Sequence, residues 1–569
     1  MLFDFFTFFT VKEIKIIFLQ KHARVVRYSL ITYKNCVIES PTGRTYLMQK
    51  TGLYWLGNDL RRHDNLCFEQ ASKTVEHLLV VFCIEPQWLG MGRYQQARMT
   101  QHRRKFLAQS LQQLKQQLSH EGQQLLIFAG DPLIVLPKLI AQYDVSQVFR
   151  SRHPAFDEQQ QWQLLRASIN QTPTSQTQIP STEAIEWHEL DNLSLINHHD
   201  LQALTGLDNL NAKDDDAPNN FIISFSKFRR IIETALKKQR LTLDSPVNSS
   251  SPLPKPVALS PSNYAQLANT LVDDIEQALG INQLDCLDNT GHRPQYMGAS
   301  QPINNELFDK NIVSSNDHEA GFFGGERAAS EHLNGYFSDQ RAHHYKTVRN
   351  ALGGWENSTK FSAWLANGCL SARQVIAALD KFEQQHERSD SSYWIFFELL
   401  WREYFFWYAF YHQQALFRFS GIHRRRPLSS FYSERFKSWA DGTTPYPLVN
   451  ACMKQLNRTG YMSNRGRQIV ASCLVNELNV DWRYGAAYFE AQLIDYDVAI
   501  NWGNWQYLAG VGADPRSTEQ SGRHFDLKKQ QQRFDPKGTY IRHALGPEAS
   551  IEHSHLAIDH IDPTGWPTQ

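Results

Sequence analysis

The run His77–Ile84, "HLLVVFCI", places seven apolar residues in succession after a single histidine. A strand with one face in water alternates polar and apolar side chains, so an unbroken run demands cover on both faces. "GLYWLG" (52–57) and "QLLIFAG" (124–130) carry the same signature of a buried strand. Between them, the stretch from Arg98 to His120 sets Phe106, Leu107, Ser110, Leu111, Leu114 and Leu118 at helical spacing. This alternation over residues 52–150 predicts a parallel sheet with helices on both faces. Gly130-Asp131-Pro132 ends one strand and opens the next helix. No GxGxxG follows the first strand, so the usual dinucleotide fingerprint is absent.

The grammar changes further on. "INQTPTSQTQIPSTE", "LNAKDDDAPNN" and "DSPVNSSSPLPKPVALSPS" read as surface linker, interrupted by the helical island "FIISFSKFRRIIETALKK". From about 322 to 545 helical patterns dominate. The expected organisation is an extension without stable structure (1–50), an α/β domain (51–185), an interdomain linker (186–320), an all-α domain (321–545) and a tail (546–569). The extension begins "MLFDFFTFFTVKEIKIIFL", two short apolar runs broken by Lys12, Glu13 and Lys15. That is too short and too charged for a membrane span, and its charges fall inside the apolar run rather than before it, unlike a secretory signal. An organelle-targeting leader stays open beside a cytoplasmic location.

Basic and acidic residues balance at 58 each, so any nucleic-acid contact must come from a local basic face. The seven cysteines show no CxxC spacing and read as reduced thiols, with neither a disulfide framework nor a metal site.

Residues 459–507 are unusual for a helical core. Asp495 and Asp497, Arg465 and Arg467, several asparagines, Trp482 and Trp505 occupy sequence where Leu, Ile and Val would be expected. Buried charges need partners, and a large polar ligand with ribose, phosphate and an aromatic ring is the simplest set. Ser358, Thr359 and Ser362 cluster with Lys360 at a helix start, a candidate diphosphate site, although Ser and Thr also cap helices generally. Ser371 and Gln374 fit a capping box. Glu398 and Arg402 stand one turn apart and can pair, with Trp394 and Trp401 on one stripe. These four residues fit either a surface ion pair beside packed rings or the wall of a cavity. Arg424, Arg425 and Arg426 in "GIHRRRPL" form either a solvated loop or a groove that tracks phosphates.

Eight ordered blocks carry a resemblance over residues 52–545: "GLYWLGNDLRRHDN", "SFSKFRRIIE", "FFGGERAASEHL", "YKTVRNALGGWENSTKFSAWLANGCLS", "FELLWREYF", "TGYMSNRGRQIVAS", "DWRYGAAYFE" and "NWGNWQYLAGVGADPR". Together they resemble the photolyase/cryptochrome family, most closely its cryptochrome DASH branch. The resemblance implies an α/β antenna domain, a long linker and a helical domain that binds U-shaped FAD. On the matching positions, Tyr345 and Ser358, Thr359, Lys360, Phe361 and Ser362 would bind the flavin diphosphate side. Trp394, Glu398, Arg402, Asn464 and Arg467 would flank the cofactor, and Asp495 and Asp497 would contact ribose and flavin. Asn501 would face flavin N5, where an amide favours the anionic reduced form.

The implied reaction is light-driven electron transfer from FADH⁻ into a cyclobutane pyrimidine dimer that has left its stack. Glu398 would hydrogen-bond the dimer, Trp401 would stack on it, and Asn464 would share the pocket. Gln468 and Tyr507 stand where duplex-repairing relatives carry Met and Trp, which implies a preference for single-stranded DNA. Trp505 and Trp482 match the inner two members of the family's tryptophan chain. The outer position falls at Ser429, with Tyr432 a nearby substitute. His153 replaces the glutamate that usually holds a methenyltetrahydrofolate antenna. "WLGNDLR" carries Leu56-Gly57 for the usual Phe-Arg, and Ala372 replaces a helix-starting proline. The leading expectation is a monomeric, membrane-free FAD enzyme that repairs dimers in single-stranded DNA. The alternative is a signalling blue-light photoreceptor or DNA-binding regulator. A light-independent flavin oxidoreductase would need a nicotinamide site, and none is visible in the sequence.

Overall fold

The computed structural model of the chain describes residues 37–39, 45–47, 50–170, 184–206, 224–247, 251–258, 270–281, 321–512 and 524–553. Residues 1–49 and 50–569 form separate compact units. In the first, β1 (Val37–Glu39) pairs antiparallel with β2 (Thr45–Leu47), so the extension is not wholly without secondary structure as expected. Residues 1–36, which carry the leader reading, lie outside the described residues.

The second unit opens with a parallel sheet. Strands β3 (Thr51–Trp55), β4 (His77–Ile84), β5 (Leu125–Ala129), β6 (Val145–Ser151) and β7 (Glu186–Leu190) lie in the order β5-β4-β3-β6-β7, and β8 (Lys255–Pro256) runs beside the start of β4. Every β4 residue after His77 is buried, as its apolar run demands. Helices α1 (Leu66–Thr74), α2 (Gln101–His120), α3 (Pro132–Gln142) and α4 (Phe156–Asn170) follow β3, β4, β5 and β6. The six residues singled out on α2 are all buried. Asp131 caps α3 by accepting the Leu133 N–H at 2.8 Å, with Pro132 at the first helical position. The sheet runs to Leu190, past the expected boundary at 185. Strand "EWHEL" is only half-buried and polar, so it lacks the apolar run that marks the inner strands.

The helical half holds the Ser371–Gln374 capping box, as expected, at the head of the helix Ala372–His386. Its longest helix is Asp390–His412. Glu403 on that helix is fully buried. Its carboxylate accepts the N–H groups of Leu195 (2.8 Å) and Ile196 (3.0 Å), just past β7, and the Trp407 indole N–H at 2.7 Å. A second buried tie joins Arg373 to Asp64 at 3.1 Å. Among the described residues no helix is long and apolar enough to cross a membrane.

Glu403→Gln replaces one acceptor oxygen by an NH₂ that faces donors. The expected outcome is a loss of about 1–3 kcal/mol in unfolding free energy. It is read as a lower urea midpoint at unchanged slope.

Candidate functional site

The helix Asp390–His412 forms one wall of a cavity of about 370 Å³ in the helical half. Its face presents Glu398, Trp401 and Arg402 to that cavity. Tyr345 and the segment Ser358–Ser362 form a second side. Ser463 caps the helix Asn464–Ser472 by accepting the Gly466 N–H at 3.2 Å. The start so fixed puts Asn464, Arg467 and Gln468, spaced i, i+3 and i+4, on the cavity side. Asp497 caps the helix Val498–Leu508 through the Ile500 N–H at 3.0 Å, so this residue has a structural duty besides lining the cavity. Asp495, Asn504 and Tyr507 complete the wall.

The cavity is polar in a patterned way. Arg467 donates twice to the Asp495 carboxylate, at 2.8 and 3.0 Å, and that carboxylate is only 2% exposed. The Lys360 ammonium donates to the Ser358 hydroxyl at 2.9 Å and the Gly354 carbonyl at 3.2 Å, and lies over the Tyr461 ring. Lys360 holds φ +56°, a left-handed conformation unusual for a side chain of this kind. Glu398 pairs with Arg349 instead of Arg402. Loss of solvation raises the Glu398 carboxyl above the ordinary carboxylate range, against the pull of Arg349. Burial, with Glu398 second, raises the Tyr345 phenol well above its ordinary value. Arg402 donates to the Leu193 carbonyl at 2.9 Å, while its buried Nε has no partner among the described residues. An unpaired buried donor, a phosphate-suited ammonium with hydroxyls, and a fixed carboxylate fit a large anionic nucleotide ligand such as FAD.

Trp401 is stacked on Phe225 from the linker island, with centroids 3.6 Å apart and planes 10° apart. Tyr507 meets it edge-on at 6.2 Å. Several expected residues stand outside the lining. Trp394 is not part of it and lies under the Arg349 guanidinium at 4.5 Å. Asn501 is buried, its amide donating to the Ala486 carbonyl at 2.9 Å, while Ile500 and Asn504 reach the cavity. A helix turns about 100° per residue, so the amide at 501 points to its packed side. Arg424, Arg425 and Arg426 sit on the loop between Arg418 and Ser433 and line neither this cavity nor the next. Trp505 and Trp482 are core residues, 2% and 0% exposed. Gly485, one turn beyond Trp482, lets Trp505 lie directly against that helix, where a Cβ would collide with the indole. Arg349 and Asn504 were not anticipated. Asn504 was findable, since it lies three residues beyond Asn501 in one helix.

A second cavity of about 730 Å³ opens at the carboxyl ends of β3 and β6, where the strand order reverses. Arg150 lies over the Trp55 ring at 4.3 Å there. His153 lines it, and burial, reinforced by Arg150, lowers its imidazole to about 4. The ring is therefore neutral near pH 7; its Nδ1 accepts the Ala155 N–H at 3.2 Å, and Glu158 stands 3.8 Å away. Arg402 and Asp497 line both cavities.

Two family descriptions match: "DNA photolyase" over residues 52–193 and "FAD binding domain of DNA photolyase" over residues 394–560. The chain is 42% identical to a protein named "Cryptochrome DASH" from Idiomarina loihiensis, covering 91% of this chain and 97% of that one. It is 38% identical to its namesake from Vibrio parahaemolyticus, covering 92% and 98%. The crystal structure of the Synechocystis cryptochrome is similar at TM-score 0.70 and 32% identity, covering 87% of this chain and 88% of that one.

Arg467→Met leaves the Asp495 carboxylate buried without its cation. The expected cost is about 3–5 kcal/mol in a urea titration. Adding Asp495→Asn recovers most of that loss.

Proposed function

This chain belongs to the photolyase/cryptochrome family, in its cryptochrome DASH branch, and we propose that it uses FAD and blue light to repair cyclobutane pyrimidine dimers in single-stranded DNA, a deoxyribodipyrimidine photo-lyase reaction. The observation that carries this reading is the meeting of Glu398, Trp401, Gln468 and Tyr507 with Lys360, Ser358 and Asp495 around one cavity. When bound, FAD in its reduced form would supply the light-excited electron that opens the cyclobutane ring and would take it back once the ring has split. Every other contribution is the protein's.

Lys360 with Ser358 and Thr359 neutralises and hydrogen-bonds the diphosphate. Asp495, held by Arg467, accepts from ribose hydroxyls. The unpaired Arg402 Nε offers a further donor. Asn501 is turned away, so the neutral amide that reaches the cavity from this helix is that of Asn504, which adds no negative charge beside the flavin and so favours its anionic reduced form. Glu398, positioned by Arg349, keeps its proton to higher pH than an ordinary glutamate and donates it in a hydrogen bond to a pyrimidine carbonyl. Phe225 stacks on one face of Trp401 and Phe405 lies near-parallel to the ring at 5.6 Å, so the lesion uses the part of the indole left toward the cavity. Gln468 and Tyr507 make this wall polar and offset little of the cost of unstacking, which suits a strand with no pairing to break. Arg424, Arg425 and Arg426 attract the phosphate backbone from outside the cavity. His153 supplies no carboxylate to the second cavity, and no step of this proposal uses a folate antenna.

The test is illumination of the FAD-loaded protein, under reducing conditions, with dimer-containing single-stranded and duplex oligonucleotides. Faster repair of the single strand is expected, and no repair of either overturns the reading. Glu398→Ala lowers repair about 5- to 150-fold, for a pyrimidine carbonyl left without its donor at a cost of about 1–3 kcal/mol. The donating form is the protonated one, so wild-type repair declines as pH rises through the raised Glu398 value. Glu398→Gln, which cannot titrate, shows no such decline.

A further inference from the structure

Trp505 and Trp482 are buried, and Ser429 stands where a third, outer indole would be needed. An oxidised indole at either site is closed to direct contact with a reductant in solution. We propose that the relay continues through Trp502 and ends at Tyr484, which is the residue refilled from solvent by a thiol. This rests on the reading that bound, light-excited FAD withdraws an electron from Trp505.

Two ring paths converge on Tyr484. One runs from Trp482 to Trp502 (centroids 5.8 Å apart), on to Tyr94 (6.2 Å) and then to Tyr484 (5.1 Å). The other runs from Trp505 to Trp439 (6.2 Å), with Phe436 bridging at 5.9 Å on each side. Trp439 also touches Tyr488, but that phenol is buried and bonded to Asn457 at 2.7 Å, so this branch does not reach solvent. Tyr484 is half-buried and stacks at 4.0 Å on Phe431, which is 42% exposed. The Arg483 guanidinium over the Tyr94 ring is paired to Asp481 at 2.7 Å, so its charge does not separate the two tyrosines; Tyr484 is singled out because both paths meet there and because it stacks on the exposed Phe431. The hole therefore passes Tyr94 and settles on Tyr484. Tyr432, the exposed tyrosine nearest Ser429 in sequence, packs under Arg435 at 4.5 Å.

The step balances simply. Tyr484 gives one electron to the oxidised indole and its phenolic proton to water, leaving a neutral tyrosyl radical. A low-molecular-weight thiol returns a hydrogen atom, and two of the resulting thiyl radicals couple to a disulfide. Releasing the proton is what allows the electron hole to leave the protein without storing charge in its core.

The experiment is blue-light illumination of the oxidised FAD-loaded protein without thiol, followed by freezing and electron paramagnetic resonance. Wild type is expected to trap a tyrosyl radical, and Tyr484→Phe to lose it, with thiol-dependent flavin bleaching slowed as well. Tyr432→Phe retains the signal. Phenylalanine keeps the stack on Phe431, and an unchanged melting temperature confirms the fold. Undiminished tyrosyl signal in Tyr484→Phe, or its loss in Tyr432→Phe, overturns the assignment. Ultraviolet laser photo-ionisation of the indoles, which needs neither flavin nor a reagent that enters the core, separates the two readings. Indole-to-tyrosine transfer in wild type, absent in Tyr484→Phe, supports the relay even if blue-light illumination yields no radical, an outcome that removes only the flavin reading.

Discussion

The Glu403 carboxylate lies in the core with three N–H groups aimed at it, two from the backbone of Leu195 and Ile196 and one from the Trp407 indole. A buried carboxylate is tolerable only when so satisfied, and these donors come from the chain just beyond the last strand of the sheet. The α/β half therefore fixes both the height and the rotation of the helix Asp390–His412. Arg402, one residue earlier, adds its own bond to the Leu193 carbonyl. With that helix set, Glu398 and Trp401 can face only one way. The cavity is in this sense a consequence of the joint between the two halves.

What the sequence disclosed follows from the range of the interactions involved. Strands β4 and β5, the capping box at Ser371 and the start of α3 at Asp131 are local in origin, and each appears where its residues place it. The sequence sets Arg402 one turn from Glu398, whereas the partner of Glu398 is Arg349, 49 residues away. Nothing local distinguishes the two. Strand β7 escaped the expected domain because an edge strand with a polar outer face lacks the unbroken apolar run of its neighbours. Most of the candidate site was legible through its blocks. The turn of the helix that hides Asn501 and presents Asn504 required coordinates.

The two cavities are separated by very little protein. Arg402 and Asp497 belong to the walls of both. Asp497 is also the cap on which the helix Val498–Leu508 begins, so the residue between the cavities holds the helix that carries Asn504, Trp505 and Tyr507. Position 497 therefore combines a folding requirement with a site requirement, and substitutions there act on both.

Phe225 clamps Trp401 from behind with nearly parallel planes. A large aromatic side chain left free at a binding surface loses rotamer freedom whenever a ligand arrives, about 0.5–1.5 kcal/mol for each residue immobilised. Here that ordering takes place once, during folding, at the expense of a contact between the linker island and the helical domain. The Trp401 wall is therefore ordered before any ligand arrives, so affinity at this surface would not be diminished by the entropy of arranging it.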